Sequence, residues 1–136
     1  FRGSYKGDVP LFTGIAVDEM YLIRAECEAR ANSIDPAMAD LNTLLSKRWG
    51  SGTFIPYTAA SQTEATDIIL KERRKELVFR DLRWSDIKRL NKEDANIGVK
   101  RMINGTTYIL SPNDNRFALP LPTDIINLTK MKQNPQ

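Results

Sequence analysis

The stretch KERRKELVFRDLRWSDIKRL, residues Lys71–Leu90, sets eight basic and four acidic side chains among Leu77, Val78, Phe79, Leu82, Trp84, Ile87 and Leu90. Nowhere else do charge and large apolar groups coincide so densely. Leu70, Leu77 and Trp84 recur every seven residues, while Phe79, Leu82 and Leu90 fall near a second line. Two apolar lines predict a helix that touches neighbours on more than one side, a hub for the rest of the chain. Lys71 to Glu76 contain no apolar side chain, so a surrounded helix must pair some of these charges internally. Glu72, Arg73 and Arg74 are the candidates for that network.

Upstream, Ser61-Gln62-Thr63-Glu64 has the S-x-x-E form of a capping box, in which serine and glutamate satisfy each other's backbone donors. Ala65, Ile68, Ile69 and Leu70 follow, so one helix is expected from this box through to Leu90, with a bend near Asp81. Asp35-Pro36 supplies an N-cap and a proline at the first helical position. The stripe Met38, Leu41, Leu44, Leu45 and Trp49 then carries a second helix to about Trp49, where Gly50-Ser51-Gly52 stops it. Val17, Met20, Tyr21, Ile23, Ala25 and Cys27 are spaced for a first helix ending near Ala31. Asp18 and Glu19 lie in its first turn, where the helix dipole favours acids. The short Asn32-Ser33-Ile34 link makes these two an antiparallel αα-hairpin.

Downstream the helical period disappears. Val99–Ile103 faces Thr106–Leu110 across Asn104-Gly105, the pair best suited to a two-residue type I′ turn, so a small β-hairpin is expected. Pro112, Pro120 and Pro122 impose an extended path, Thr123 is placed to cap a brief turn at Asp124 to Leu128, and the apolar content predicts a tail docked on the helices. The chain is thus read as one domain over 1–136. Its parts are an N-terminal loop at 1–15, a helical core at 16–91, and a hairpin with docked tail at 92–136.

Composition narrows the chemistry. A compact chain of 136 residues buries roughly two-thirds of the surface its unfolded form exposes. The net charge is +3, but seventeen acids are mixed among twenty bases, which weakens any field for a polyanion. Cys27 is the only cysteine and there is no histidine, which excludes an internal disulfide, the usual zinc sets and histidine-based triads. Glu72 and Glu76 share a helix face as a carboxylate pair would. Lys75 at i+3 and Arg80 at i+4 make ion pairs the stronger reading. Trp84 beside Arg83 can stack on a sugar or base, yet its core spacing favours packing, as for Trp49. Tyr5, Tyr57 and Tyr108 lie outside the helices and can line a groove. Cys27, flanked by apolar positions, reads as a small core residue. Gly3, Gly7 and Gly14 form no phosphate-cradling motif. No catalytic, metal, cofactor or ligand-contact residue is assigned. The apolar runs are far shorter than the ~20 residues of a membrane helix, no signal peptide is seen, and a start at Phe1 rather than methionine suggests a fragment or processed product.

Three separated stretches carry a resemblance to a known family. They are Glu19-Met20-Tyr21-Leu22-Ile23-Arg24-Ala25-Glu26; Glu72-Arg73-Arg74-Lys75-Glu76-Leu77 with Arg83-Trp84-Ser85-Asp86-Ile87-Lys88-Arg89-Leu90; and Leu119-Pro120-Leu121-Pro122 with Gln133-Asn134-Pro135. In order and spacing the chain resembles the C-terminal part of the SusD/RagB family of outer-membrane nutrient-binding lipoproteins. Ala37 to Arg48, with Asp40-Leu41-Asn42, is similar to the second helix of one of that family's pairs. Where members often have Glu-Gly ahead of Arg-Trp, this chain has Arg80-Asp81, which removes a glycine from the expected bend.

The resemblance implies a mainly α fold of tetratricopeptide-like helix pairs and a non-enzymatic, surface-exposed outer-membrane protein that binds an oligosaccharide or polysaccharide. It implies a SusC-like TonB-dependent transporter as partner and a lipid anchor that lies outside this chain. Much of the ligand surface in the family lies upstream, so these residues are expected to be scaffold. The rival reading is a tetratricopeptide-like adaptor for a protein or peptide. Nucleic-acid binding through Lys71 to Arg89 ranks last because Glu72, Glu76, Asp81 and Asp86 interrupt the basic face.

Overall fold

The computed structural model describes residues 14–135, so the loop expected over 1–15, with Tyr5, lies almost wholly outside the described residues. The architecture is mainly helical, with tetratricopeptide-like helix pairs and one small sheet. The chain divides into two compact units at Arg83 and Trp84.

In the first unit α1 (Val17–Arg30) and α2 (Ile34–Leu45) form the hairpin, and α3 (Gln62–Glu76) packs on both. Side-chain contacts fix the directions. Gln62 Nε2 donates to the Arg30 carbonyl at 2.7 Å, so α3 starts where α1 ends. Arg48, just past α2, lies 3.7 Å from Asp18 in the first turn of α1, so α2 ends where α1 starts. Leu22, Ala25, Ala29, Leu41, Ala65 and Ile69 have no exposed surface, and Met38, Leu44, Leu45 and Leu77 complete the core. Burying each large side chain of this set contributes about 2 kcal/mol.

The capping box forms in part. Glu64 N–H donates to Ser61 Oγ at 3.2 Å, but Glu64 Oε2 accepts from Ala60 N–H at 2.8 Å instead of from Ser61. α2 is shifted against expectation: it begins at Ile34, which puts Asp35 and Pro36 within the first turn, and it ends at Leu45, short of Trp49. The loop after it is pinned by Asn42, whose amide donates to the Tyr57 carbonyl at 2.9 Å and accepts from Tyr57 N–H at 2.8 Å.

The continuous hub helix is corrected. α3 stops at Glu76, and Phe79 and Asp81 take left-handed φ values of 61° and 58°. The break turns Arg80 inward and leaves Val78 and Phe79 exposed. The burial expected of α1 is corrected too. Its buried face carries Asp18, Leu22, Ala25, Glu26 and Ala29, while Val17, Met20, Ile23 and Cys27 face outward. Cys27 is therefore not a core residue, because α2 and α3 pack on the small-residue side of the helix.

The second unit opens with α4 (Arg83–Asn91), which buries Ile87, Leu90 and Asn91. Asn91 pins the crossover that follows: its amide accepts from Ile97 N–H at 2.6 Å and donates to the Ile97 carbonyl at 2.9 Å. β1 (Val99–Ile103) and β2 (Thr106–Leu110) pair antiparallel with Val99 opposite Leu110 and Ile103 opposite Thr106. Asn104 and Gly105, at φ 49° and 78°, make the expected turn, since a I′ turn needs positive φ at both positions. A 3-10 turn at Asn115–Phe117 buries Phe117, and α5 (Thr123–Thr129) buries nothing. Thr123 is the first residue of α5, and no side chain caps it.

Candidate functional site

The charges of the first unit converge where α1 starts, α2 has ended and α3 gives way to the turn. Asp18 is 4% exposed and lies 3.7 Å from both Arg48 and Arg80. Arg80, 2% exposed, also reaches Glu19 at 3.4 Å and donates to the Gly14 carbonyl at 2.5 Å. Arg48 closes the set through Glu76, with Nη2 at 2.5 Å and Nε at 2.7 Å from Glu76 Oε1. Alternating signs over five side chains compensate the burial of Asp18 and Arg80 and the partial burial of Glu19 and Glu76.

This network replaces the one expected from sequence. Glu72 and Arg73 are buried as anticipated, and Glu72 takes Lys75 at 2.5 Å, an interaction that raises the lysine's pKa. Arg74 is exposed and takes no part. Glu76 pairs with Arg48, not with Arg80, because α3 ends before Arg80 can complete an i+4 pair. A second fork joins the helices of the hairpin: Arg24 Nε donates to Asp40 Oδ2 and Nη2 to Oδ1 at 2.5 Å. That fork holds the Arg24 pKa above its ordinary value. The same guanidinium lies 5.5 Å from the Tyr21 ring centre.

Trp84 is not a buried strut. It is 37% exposed, with Nε1 donating to the Phe117 carbonyl at 3.2 Å and the two rings 4.7 Å apart. Trp49 is 52% exposed and leans on Phe54 at 6.2 Å. Tyr57 is half-buried against the core, and Tyr108 stands exposed on β2.

Two of the clefts among the described residues bear on binding. One of ≈ 470 Å³, between the start of α1 and the end of α2, is lined by Ala16, Val17, Asp18, Tyr21, Thr43, Leu44, Lys47 and Arg48. Its walls are mostly apolar, and both Asp18 and Arg48 belong to the ion network. The other, of ≈ 260 Å³ in the second unit, is bordered by Lys88, Lys92, Asn91, Asn113, Asn115 and Phe117. Its Asn91 amide is held by Ile97, Asn113 Nδ2 donates to the Asn91 carbonyl, and the lining residue Asp114 is gripped by Arg116. Neither cleft brings together a nucleophile and a base, and among the described residues no three metal-ligating side chains converge.

Sequence reasoning missed three positioning devices: Arg80 as a buried cation, Asn42 as the pin of the 46–60 loop, and Gln133 with Asn134. Gln133 Oε1 accepts from Leu121 N–H at 2.7 Å and Nε2 donates to the Leu121 carbonyl at 3.0 Å, while Asn134 Nδ2 donates to the Leu119 carbonyl at 2.7 Å. The alternation Leu119-Pro120-Leu121-Pro122 was the available signal. It leaves Leu121 N–H as the one backbone donor between two prolines.

Comparison with known proteins gives a consistent assignment. The model of the SusD family matches residues 17–136. SusD-like protein P2 of Formosa agariphila is 33% identical, over 86% of this chain and 24% of its own length. The crystal structure of a SusD-like protein from Bacteroides fragilis superposes with a TM-score of 0.57 at 24% identity, over 86% of this chain and 24% of that one. The chain thus spans about a quarter of the length of these relatives.

Proposed function

Because the chain belongs to the SusD family, we propose that it is the C-terminal scaffold region of a non-catalytic, surface-exposed outer-membrane protein that binds a glycan. In this reading the protein hands that nutrient to a SusC-like TonB-dependent transporter, and the protein is held to the membrane by a lipid anchor outside residues 1–136. The observation that carries the scaffold role is how the family-like side chains are used. Glu19 meets Arg80, Arg24 grips Asp40, Glu26 pairs with Arg30, Glu76 with Arg48, and Trp84 rests on Phe117. Side chains committed to holding helices and loops are not the ones that hold a ligand, so the ligand-contact surface belongs to other parts of the protein. Glu72 and Glu76, the nearest approach to a catalytic carboxylate pair, are each held in an ion pair.

Affinity electrophoresis of the complete protein through gels containing a panel of polysaccharides tests this. Retardation by at least one glycan is expected. Uniform migration through all of them, together with capture of a peptide ligand, would favour the adaptor reading instead.

A further inference from the structure

β1 and β2 make a ribbon exposed on both faces. Every residue from Lys100 to Ile109 is exposed, with Met102 at 72%, Ile109 at 60% and Tyr108 at 57%. A lone two-stranded ribbon is marginal in water, and a third strand is one addition that stabilises it. The two long edges differ. Across the two-residue turn Ile103 and Thr106 form a hydrogen-bonded pair, and alternation makes the next such pair Arg101 with Tyr108. Backbone groups of Thr107 and Ile109 therefore point outward from β2, where Arg116 Nη2 takes the Ile109 carbonyl at 3.3 Å. Those of Lys100 and Met102 point outward from β1, and among the described residues no hydrogen bond reaches them.

Charge on the ribbon is one-sided as well. Lys100 and Arg101 lie between Ile97 and Leu110 with no acid, and they project from opposite faces. Among the described residues neither has an ion-pair partner. We propose that the open edge of β1 docks an extended segment of another polypeptide, which adds as a third strand and carries two adjacent carboxylates flanked by apolar residues. The register dictates that pattern: the carboxylates fall beside Lys100 and Arg101, and the apolar residues beside Val99 and Met102. An edge lysine repels uncharged strands and selects an acidic one. The same charges disfavour a second copy of this chain. An antiparallel β1 pair that uses the outward groups of Lys100 and Met102 in both copies sets Arg101 opposite Arg101, and like charges directly opposite destabilise a pair. A lipid surface is disfavoured by the tip Asn104-Gly105-Thr106-Thr107, which offers no apolar side chain to insert. The inference does not depend on the glycan reading.

The probe is a capped, fluorescent peptide of two central glutamates flanked on each side by valine and threonine, titrated at low salt into the full polypeptide that carries this sequence. Two controls replace the glutamates by lysines or methylate alternate backbone nitrogens. Anisotropy is expected to show binding of the glutamate peptide alone. Hydrogen exchange with residue-level fragmentation should slow at the amides of Lys100 and Met102 and change little at Arg101, which is already bonded to Tyr108. Lys100→Glu with Arg101→Glu, both on exposed side chains, should weaken the glutamate peptide by roughly tenfold and admit the lysine peptide. Failure of the glutamate peptide to bind overturns the proposal, as does equal binding of the glutamate and lysine peptides or binding that leaves the two amides unprotected. Amides already slow without peptide overturn it too: the edge then belongs to a segment of the same polypeptide, or to a second copy if the protection depends on concentration. Binding to phosphatidylglycerol vesicles in place of the peptide assigns the ribbon to lipid and likewise overturns it.

Discussion

Arg80 Nη1 stands 3.7 Å from Asp18 Oδ1 with the two side chains 2% and 4% exposed, a buried pair linking the turn after α3 to the first turn of α1. Removing one partner of such a pair strands the other charge in a low-dielectric interior. Arg80→Ala is therefore expected to destabilise by about 3 to 5 kcal/mol. Arg74→Ala, in the same charged run but exposed, is expected to stay within about 0.5 kcal/mol. Urea unfolding of the two variants checks this, and comparable losses would contradict the assignment of Arg80 as the buried cation.

Asp81 sits at φ 58° with its side chain exposed. Left-handed backbone costs an L-residue roughly 1 kcal/mol, somewhat less for aspartate, and costs glycine nothing. Asp81→Gly restores the residue that the family resemblance led one to expect here. It is predicted to stabilise by no more than about 0.5 kcal/mol, net of the entropy a glycine adds to the unfolded chain. A lower unfolding midpoint would show that the bend is held by something other than this φ.

How far the sequence speaks can be judged from these same residues. Periodicity located α1, α2 and the start of α3, and Asn104-Gly105 located the hairpin, because such signals are local: a stripe, a cap, a turn residue. The end of α3 was hidden because Phe79 and Arg80 are tolerable helix formers. What stops the helix is tertiary, the reach of Arg80 back to Asp18, Glu19 and Gly14. The same reason explains why Arg74, and not Arg80, was placed in the internal network. Cys27 misled because apolar spacing does not say which face of a helix its neighbours take, and α2 and α3 pack on the face of Leu22, Ala25 and Ala29. Of the candidate side chains, Glu72, Glu76, Tyr57 and Trp84 are taken up in structural contacts, and the exposed Arg74 and Tyr108 name no ligand by themselves.

In the second unit Asp114 is gripped by Arg116, whose Nε and Nη2 lie 2.9 and 2.8 Å from its two oxygens while Arg116 N–H adds a bond at 2.9 Å. The side-chain bond, followed by the backbone bond, lowers the Asp114 pKa from 3.8 to about 2. A depressed carboxylate pKa stabilises the fold above the unfolded value and loses that contribution as pH falls through the folded one. The turn is thus expected to hold at neutral pH and loosen between about 4 and 2. Carbon-detected NMR titration should place the Asp114 midpoint near 2, and Arg116→Gln should return it toward 3.8. A midpoint unchanged by that substitution would assign the shift to another cause.

Gln133 meets both backbone groups of Leu121, as a neighbouring strand would, and Asn134 takes the carbonyl of Leu119. These bonds tie off the loop that contains α5, and α5 has no buried residue to hold it by packing. The order of residues 119–134 should therefore depend on two side-chain amides more than on apolar burial. Losing one such two-point contact costs about 1 to 2 kcal/mol locally. Gln133→Ala is accordingly expected to speed amide exchange at Leu121 and through Thr123–Thr129 by roughly tenfold, since a local opening free energy sets that rate. Global unfolding should move by less than about 1 kcal/mol, because the first unit's core is untouched. Gln133→Glu keeps the acceptor for Leu121 N–H, loses the donor, and should fall between the two. Hydrogen exchange read by mass spectrometry separates the cases. Exchange in this loop that is unaltered by Gln133→Ala would mean that packing, and not the amide clamp, fixes the tail.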